Sequence, residues 1–329
     1  MQVRLAVETL RAIERHLVAD QGAKFRGFQR QVLPHMTDAY RDEPEEGFRS
    51  HLGASLLGTE CARALWYGFR WYTKSVFNGK TLRLFNRGHL EEGRFISLLL
   101  MIGVQIFQQD AHGKQFRISE LGGHLGGSGD GVALGVPDLP PAMAGLTEWK
   151  THSESSFAEL AGKDWRKVHE GLVDPKKPQL PFSGKGVREA KFQHYVQMQT
   201  YMRKMDLMFA LYGAVNKNTD DIYMEIVVLD TQFADQFLER GRKIIMLAQP
   251  PKKLNESPGW YGCTFCDHKP VCHLRAVPQR NCRTCVFSDP LEDGTWKCTS
   301  AVVAALGAQE QLLSKVQQLQ GCSHYEVRG

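Results

Sequence analysis

The sequence predicts an α/β protein, with a mixed central sheet flanked by helices in the order α-β-β-β-α-β and a small C-terminal metal-binding module. Three observations carry that reading. A long helical stretch precedes several short strand-like runs, a second helix and a clear strand. Two of the runs form a hairpin loaded with carboxylates. Eight cysteines divide as four around that core and four beyond it.

With 329 residues, 42% hydrophobic and 23% charged, the chain has the composition of an ordinary globular protein of one large or two unequal domains. Its first twenty residues mix acids and bases along an amphipathic helix whose apolar stripe is Ala6, Leu10, Ile13 and Leu17, unlike a secretory signal, so a cytoplasmic protein is expected. The longest apolar run, "FISLLLMIGVQIF" from Phe95, carries Ser97, Gly103 and Gln105 and is too short for a bilayer. It reads as a buried helix running into a strand, with no membrane segment. A net charge of +5 permits a polyanionic partner without requiring one.

In chain order, a helix is expected over about Leu84 to Ile102. Strands follow near Val104 to Gln108, Gln115 to Ser119, Gly129 to Val136 and Leu146 to Thr151. A helix then spans about Lys191 to Tyr212, and "DIYMEIVVLD" is a strand. The stretch between Thr151 and Lys191, rich in Lys, Arg, Gly and Pro and without steady periodicity, is expected to be a long surface excursion. Lys163, Arg166, Lys167, Lys176, Lys177, Lys185, Arg188 and Lys191, with Trp165 and Phe182, could guide a nucleic-acid strand there by phosphate contacts and stacking.

Chemistry gathers on the hairpin. A turn centred near Leu139 sets Asp130 opposite Glu148 across an antiparallel pair, and Glu148 and Lys150, two apart, share one face of their strand while Trp149 takes the other. Two carboxylates and an ammonium would hold a divalent metal and offset charge on a phosphate transition state. On its own a Glu-x-Lys triplet is commonplace on surface strands. Here it follows a Gly-Asp-Gly turn and a helix bearing "RGHLEEGRF".

The cysteines lie at Cys61, then Cys263, Cys266 and Cys272, then Cys282, Cys285, Cys298 and Cys322. Without an export signal they argue for metal rather than disulfides, and tetrahedral thiolate sites need four ligands. Cys61 is the candidate to complete the first set. Inert buried thiols are the bland reading, which two separate Cys-x2-Cys pairs make a poor one.

Taken in order, "TECARALW" with Cys61, "RGHLEE" with Glu92, "GDGV" with Asp130, "EWKT" with Glu148 and Lys150, "QMQTY" with Gln197 and Tyr201, and the cysteine triplet resemble the PD-(D/E)xK nuclease superfamily. Within it they are similar to the RecB-like iron-sulfur nucleases, including the CRISPR-associated and AddB-type enzymes. The resemblance covers about Leu56 to Cys272. It implies a restriction-endonuclease-like core and a 4Fe-4S cluster on Cys61, Cys263, Cys266 and Cys272 that staples the chain. It also implies magnesium or manganese on Asp130, Glu148 and the Trp149 carbonyl, with Glu92 completing the site or serving a second ion. Lys150 would orient water, and Gln197 and Tyr201 would support the site. The alternative reading makes Gln197 and Tyr201 polar tips of a core-facing helix. The sequence departs from the pattern where Gly129 replaces the motif's proline. A literal Pro137-Asp138 makes Asp138 the second choice for the first acid. His89 and Glu91 are read as surface or structural neighbours of Glu92.

The resemblance divides the chain into an N-terminal helical segment over 1–55, a nuclease core over 56–276 and a module over 277–329. In the last, "NCRTCVFSDPLEDGTWKC" has the layout of a zinc site with Cys282, Cys285, Cys298 and Cys322 as ligands and His324 as the alternative to Cys322. "AVVAALGAQEQLLSKVQQLQ" reads as a helix. The expected activity is a metal-dependent DNA exonuclease in recombination, end processing or replication, of phage type, acting in a host cytoplasm alongside a single-strand annealing or replication protein. The alternatives are a non-catalytic nucleic-acid-binding adaptor, against which the intact Asp130, Glu148 and Lys150 count, and an iron-sulfur electron-transfer protein. The latter lacks a dinucleotide fingerprint, since "GGHLGGSGDG" opens a strand and not a helix.

Overall fold

A computed structural model describes residues 2–42, 47–305 and 311–329. Two compact units make up the chain. The first comprises Met1–Glu43, Phe77–Ile118 and Ser128–Ala234; the second comprises Pro44–Val76, Ser119–Gly127 and Asp235–Gly329.

The first unit is a mixed α/β fold built on a five-stranded sheet. Its strands are β1 (Gln105–Phe107), β2 (Gly131–Leu134), β3 (Ala144–His152), β4 (Phe209–Asn216) and β5 (Ile222–Val228), and they lie side by side in chain order. All neighbours are antiparallel except β3 and β4, which run parallel. A parallel step cannot be closed by a tight turn and needs a crossover. Here the crossover carries four helices, α4 (Glu154–Ala161), α5 (Trp165–Val173), α6 (Gly186–Ala190) and α7 (Phe192–Met205). Before the sheet come α1 (Val7–Ala19), α2 (Ala23–Val32) and α3 (Gly79–Met101).

Helix α1 buries Leu10 and Ile13, two members of its apolar stripe. Helix α3 starts at Asn78, whose side chain accepts the Thr81 amide at 3.0 Å, and its C-terminal half is buried from Phe95 to Leu99. It packs on β3, where the Phe95 and Trp149 rings stack at 4.9 Å with their planes 8° apart. Gly213 on β4 makes room for that stack, because a Cβ there would stand 2.6 Å from the Trp149 ring. Among the described residues no helix is long and apolar enough to cross a membrane.

Two expectations about this unit need correction. The stretch over "MFALYGAV" is the interior strand β4, and α7 stops at Met205 with Asp206 in the left-handed conformation at φ 56°. Buried on both faces from Ala210 to Asn216, β4 shows no period-two alternation, and its apolar run extended the apparent helix. The excursion between β3 and α7 is largely helical, not irregular. Its Trp165 is buried and donates its indole N–H to the Ile222 carbonyl at 2.9 Å, while Phe182 stacks on Tyr223 at 6.1 Å. Both rings belong to the packing of this unit and are not free for bases.

The second unit holds helix Ala62–Phe69, the cysteine segment and a three-stranded sheet from Ser288–Pro290, Trp296–Cys298 and Gln311–Leu312. At its centre the Arg283 guanidinium lies 3.8 Å from the Trp71 ring centroid and 4.7 Å from that of Trp296, and donates to the Ser50 and Phe69 carbonyls. Where one helix was expected over 301–320 there are short helices Ala301–Ala305 and Lys315–Gln320 with strand Gln311–Leu312 between them; residues 306–310 lie outside the described part.

Candidate active site and cysteine sites

The candidate active site sits on β3. Residues 148, 150 and 152 alternate onto one face, giving a row of Glu148, Lys150 and His152, while Trp149 turns to the opposite side under α3. Gly131 pairs with Thr147, which sets Asp130 across from Glu148. Gly131 is demanded by the close approach of the Phe107 carbonyl, 2.9 Å from where a Cβ would stand. Asp130 accepts the Trp149 amide N–H at 2.9 Å. Glu148 is fully buried; one carboxylate oxygen pairs with the Lys150 ammonium, and the other accepts from the Gln197 amide at 3.0 Å. Tyr201 is buried one turn further along α7.

Electrostatics define who else belongs to the cluster. Glu92 on α3 is raised well above the usual carboxylate range, to about 9, first by burial and then by the charges of Asp130, Asp38 and Glu148, against the opposing pull of Lys150. Glu148 is likewise pushed up by burial, with Lys150 partly offsetting. Burial alone would lower the Lys150 ammonium, but the Glu148 and Asp130 carboxylates outweigh it and hold it charged. The site is thus a set of acids crowded about one cation. Glu91 instead pairs with Arg94 at 2.7 Å.

Asp138, the second choice for the first acid, does other work. Its carboxylate accepts the Glu8 and Thr9 amides at 3.0 and 2.8 Å and the Thr9 hydroxyl at 2.6 Å, capping the N-terminus of α1. Asp138→Ala is expected to lower stability by about 1 kcal/mol in urea unfolding and to leave the active-site cluster intact. A loss of catalysis without a loss of stability would instead give Asp138 a chemical role.

A second consequence concerns pH. A carboxyl whose folded pKa is raised stabilises the fold below its unfolded value and loses that contribution as pH rises toward the folded one. For Glu92 the window extends from its ordinary value of 4.5 to about 9. His152 and His194 are lowered to about 4 and about 2, chiefly by burial, so their effect runs the other way but ends near their ordinary value of 6.5. Between pH 7 and 8, without divalent metal, the melting temperature should therefore fall, and Glu92→Gln should flatten the fall. A parallel decline in wild type and variant would refute it.

Several residues of the site were not legible in the sequence. Asp38 reaches the cluster only through its charge on Glu92. The Tyr212 hydroxyl lies 3.0 Å from both His152 Nε2 and His194 Nδ1, and His152 Nδ1 lies 3.2 Å from the Ser156 hydroxyl. This buried chain ties β3, β4 and α7 together one helical turn from Gln197. The signal for His152 was its place two residues past Lys150; the others are joined only by the fold.

In the second unit Cys61, Cys263, Cys266 and Cys272, together with Arg63, Lys253, Lys269 and His273, line one cavity of about 400 Å³. Cys61 stands at the start of helix Ala62–Phe69, Cys263 lies in the turn Tyr261–Thr264, and Cys272 in Lys269–His273. Burial pushes the Cys266 thiol up, and the charges of Cys61, Cys263 and Cys272 add to it. Cys263 Sγ is also 3.5 Å from His273 Nε2. The second set is equally close-knit: Cys282 is raised to about 11 by burial and then by Cys322, Cys285 and Cys298, while His324 is exposed. Among the described residues all eight cysteines are free thiols, and no three His, Cys, Asp or Glu side chains are drawn together tightly enough to make a metal-holding group as they stand. The donor sets fit soft metals by their chemistry, four thiols each, and the carboxylate set fits a hard cation by its uncompensated acids.

No family model matches the chain, and no curated protein does. Among solved structures, LHK-Exo in complex with dAMP is similar at 14% identity with a TM-score of 0.35, over 59% of this chain and 86% of that one. The same alkaline exonuclease from Laribacter hongkongensis appears again at 13% and 0.34, over the same shares. SSO0001 is similar at 13% and 0.35, over 74% of this chain and 95% of that one. At such identity the chemistry has to be read from this chain's own side chains.

Proposed function

We propose that the chain is a divalent-metal-dependent deoxyribonuclease of the PD-(D/E)xK kind that degrades DNA from its ends, in recombination, repair of ends or replication. The observation that carries the reading is the convergence of Glu92, Asp130 and Glu148 on one ammonium, Lys150, beneath Gln197. A buried acid whose proton is held toward pH 9, first by burial and then by neighbouring acids, marks a site that gains from a hard cation.

Asp130, Glu148 and the Trp149 carbonyl, with Glu92, would hold magnesium or manganese. When bound, the ion would supply positive charge to a phosphodiester as negative charge develops on it. The chain's own residues would do the remainder. Lys150, held protonated by its neighbours, is suited to donate hydrogen bonds that orient water and offset phosphate charge, and unsuited to act as the base. Gln197 fixes the Glu148 carboxylate from above. The Tyr212 chain with His152 and His194 braces the three elements that carry these groups.

The cysteines extend the proposal. Cys61, Cys263, Cys266 and Cys272 would hold a 4Fe-4S cluster of RecB-like type, acting as a staple, and Cys282, Cys285, Cys298 and Cys322 would hold zinc in the segment over 277–329. The common cavity of the first set, and mutual electrostatic influence within each, support the two groupings. A phage-type enzyme working in a host cytoplasm with a single-strand annealing protein is the setting this suits.

The test is anaerobic purification followed by incubation with end-labelled single- and double-stranded DNA and magnesium or manganese. Metal-dependent release of mononucleotides is expected. No hydrolysis of any DNA form, or of RNA, would overturn the reading in favour of a binding or adaptor protein.

A further inference from the structure

The second unit exposes aromatic surface beside the cavity that the first cysteine set lines. Phe265 is 95% exposed and Tyr261 77%, both within the segment that carries Cys263 and Cys266. Leu274 and Val277 follow at 60% and 88%. Trp260, by contrast, folds back across Gly262, where an added Cβ would stand 2.2 Å from the indole. That leaves Tyr261, 4.8 Å from Trp260, turned outward. Rings held this far out on a short segment, both lining one cavity, are not core residues that strayed, and they leave apolar surface that calls for an occupant.

The charge around the rings selects one. From 247 to 280 the sequence holds five cations, Lys252, Lys253, Lys269, Arg275 and Arg280, against two acids, Glu256 and Asp267. Lys253 and Lys269 share a cavity wall with Tyr261 and Phe265. Flat aromatic faces set among cations are the chemistry of single-stranded nucleic acid, whose bases stack on the rings while its phosphates take the ammonium groups. Lys253 pairs with Glu256 at 3.3 Å, an exposed ion pair that a phosphate can replace, whereas an apolar protein face would bury these cations with no added counter-charge and duplex DNA hides its base faces.

We infer that Tyr261 and Phe265, with Lys253 and Lys269, form a stacking platform for single-stranded DNA on the second unit. Only the choice of DNA over RNA rests on the nuclease reading; the platform itself rests on exposure and charge.

The test uses the full chain, purified anaerobically, and a fluorescein-labelled oligothymidylate read by anisotropy without added divalent metal. Binding without cutting separates this inference from the nuclease proposal, either of which can fail alone. Removing both rings, in Tyr261→Ala with Phe265→Ala, should weaken binding by on the order of tenfold for each ring. Phe265→Trp, which keeps a stacking face, should retain affinity. Because these residues neighbour the cysteines, the unmodified protein supplies an independent reading: ultraviolet cross-linking to a bromodeoxyuridine oligonucleotide, mapped by mass spectrometry, should mark Tyr261 or Phe265. Unchanged affinity in the double variant, or cross-links confined to other segments, would overturn the inference. So would self-association that the double variant abolishes while DNA affinity stays the same, since a second copy would then be the occupant.

Discussion

Lys150→Ala and Glu148→Gln should each reduce DNA cleavage by about 10³-fold or more, the scale on which a single transition-state contact is lost. The two variants should part company in metal affinity. Glu148→Gln removes a ligand charge and should weaken manganese binding by titration calorimetry, whereas Lys150→Ala removes a cation from among acids and should not weaken it. Neither should unfold the first unit. The amide of Gln at 148 still offers an oxygen to Lys150 and a partner to Gln197, and in Lys150→Ala the Glu148 carboxyl, already pushed up by burial, can take a proton instead of standing charged and unpaired. Circular-dichroism melts close to wild type would establish that. Cleavage retained in both variants would sink the active-site assignment.

Cys61→Ser should strip the brown colour and most of the iron from the anaerobically purified protein and destabilise the second unit. Its thiol is separated from Cys263 by about two hundred residues, and a metal link across so long a loop removes much of the freedom of the unfolded chain. Cys282→Ser should leave the colour and lose zinc, because its thiol neighbours are Cys285, Cys298 and Cys322. Iron content unchanged in Cys61→Ser would refute the long-range ligand, and iron lost equally from both variants would refute the division into two sets.

Periodicity made most of the first unit legible. Helix α3 announces itself through apolar residues spaced at 3.6, strand β5 through a short β-branched and aromatic run bounded by polar residues, and the hairpin through its Pro-rich turn. Strand β4 was hidden because burial on both faces erased its alternation, and the crossover helices because Gly and Pro between them masked short amphipathic stretches such as Trp165, Val168 and Leu172. For the site, Asp130, Glu148 and Lys150 could be found from spacing along paired strands, and Gln197 from its helix. Asp38, His194 and Tyr212 could not, since their nearness to the cluster depends on how α3, α7 and β4 pack, and no local pattern encodes that. Likewise Trp165, which composition offered as a base-stacking ring, is buried against the edge of the sheet, whereas the rings turned outward are Tyr261 and Phe265, to which sequence reasoning assigns no role.

The interleaving of the two units sets an order of events during synthesis. The second unit needs Pro44–Val76, Ser119–Gly127 and everything from Asp235 to the C-terminus. Translation at about 5–20 residues per second leaves Cys61 waiting roughly 10–40 s for Cys263 to emerge. During that interval its thiol has no partner from its own set. A cluster on the first set would therefore be loaded late, once Cys272 has emerged. A shortage of iron or a burst of oxidant would strike newborn chains first, leaving the mature pool untouched.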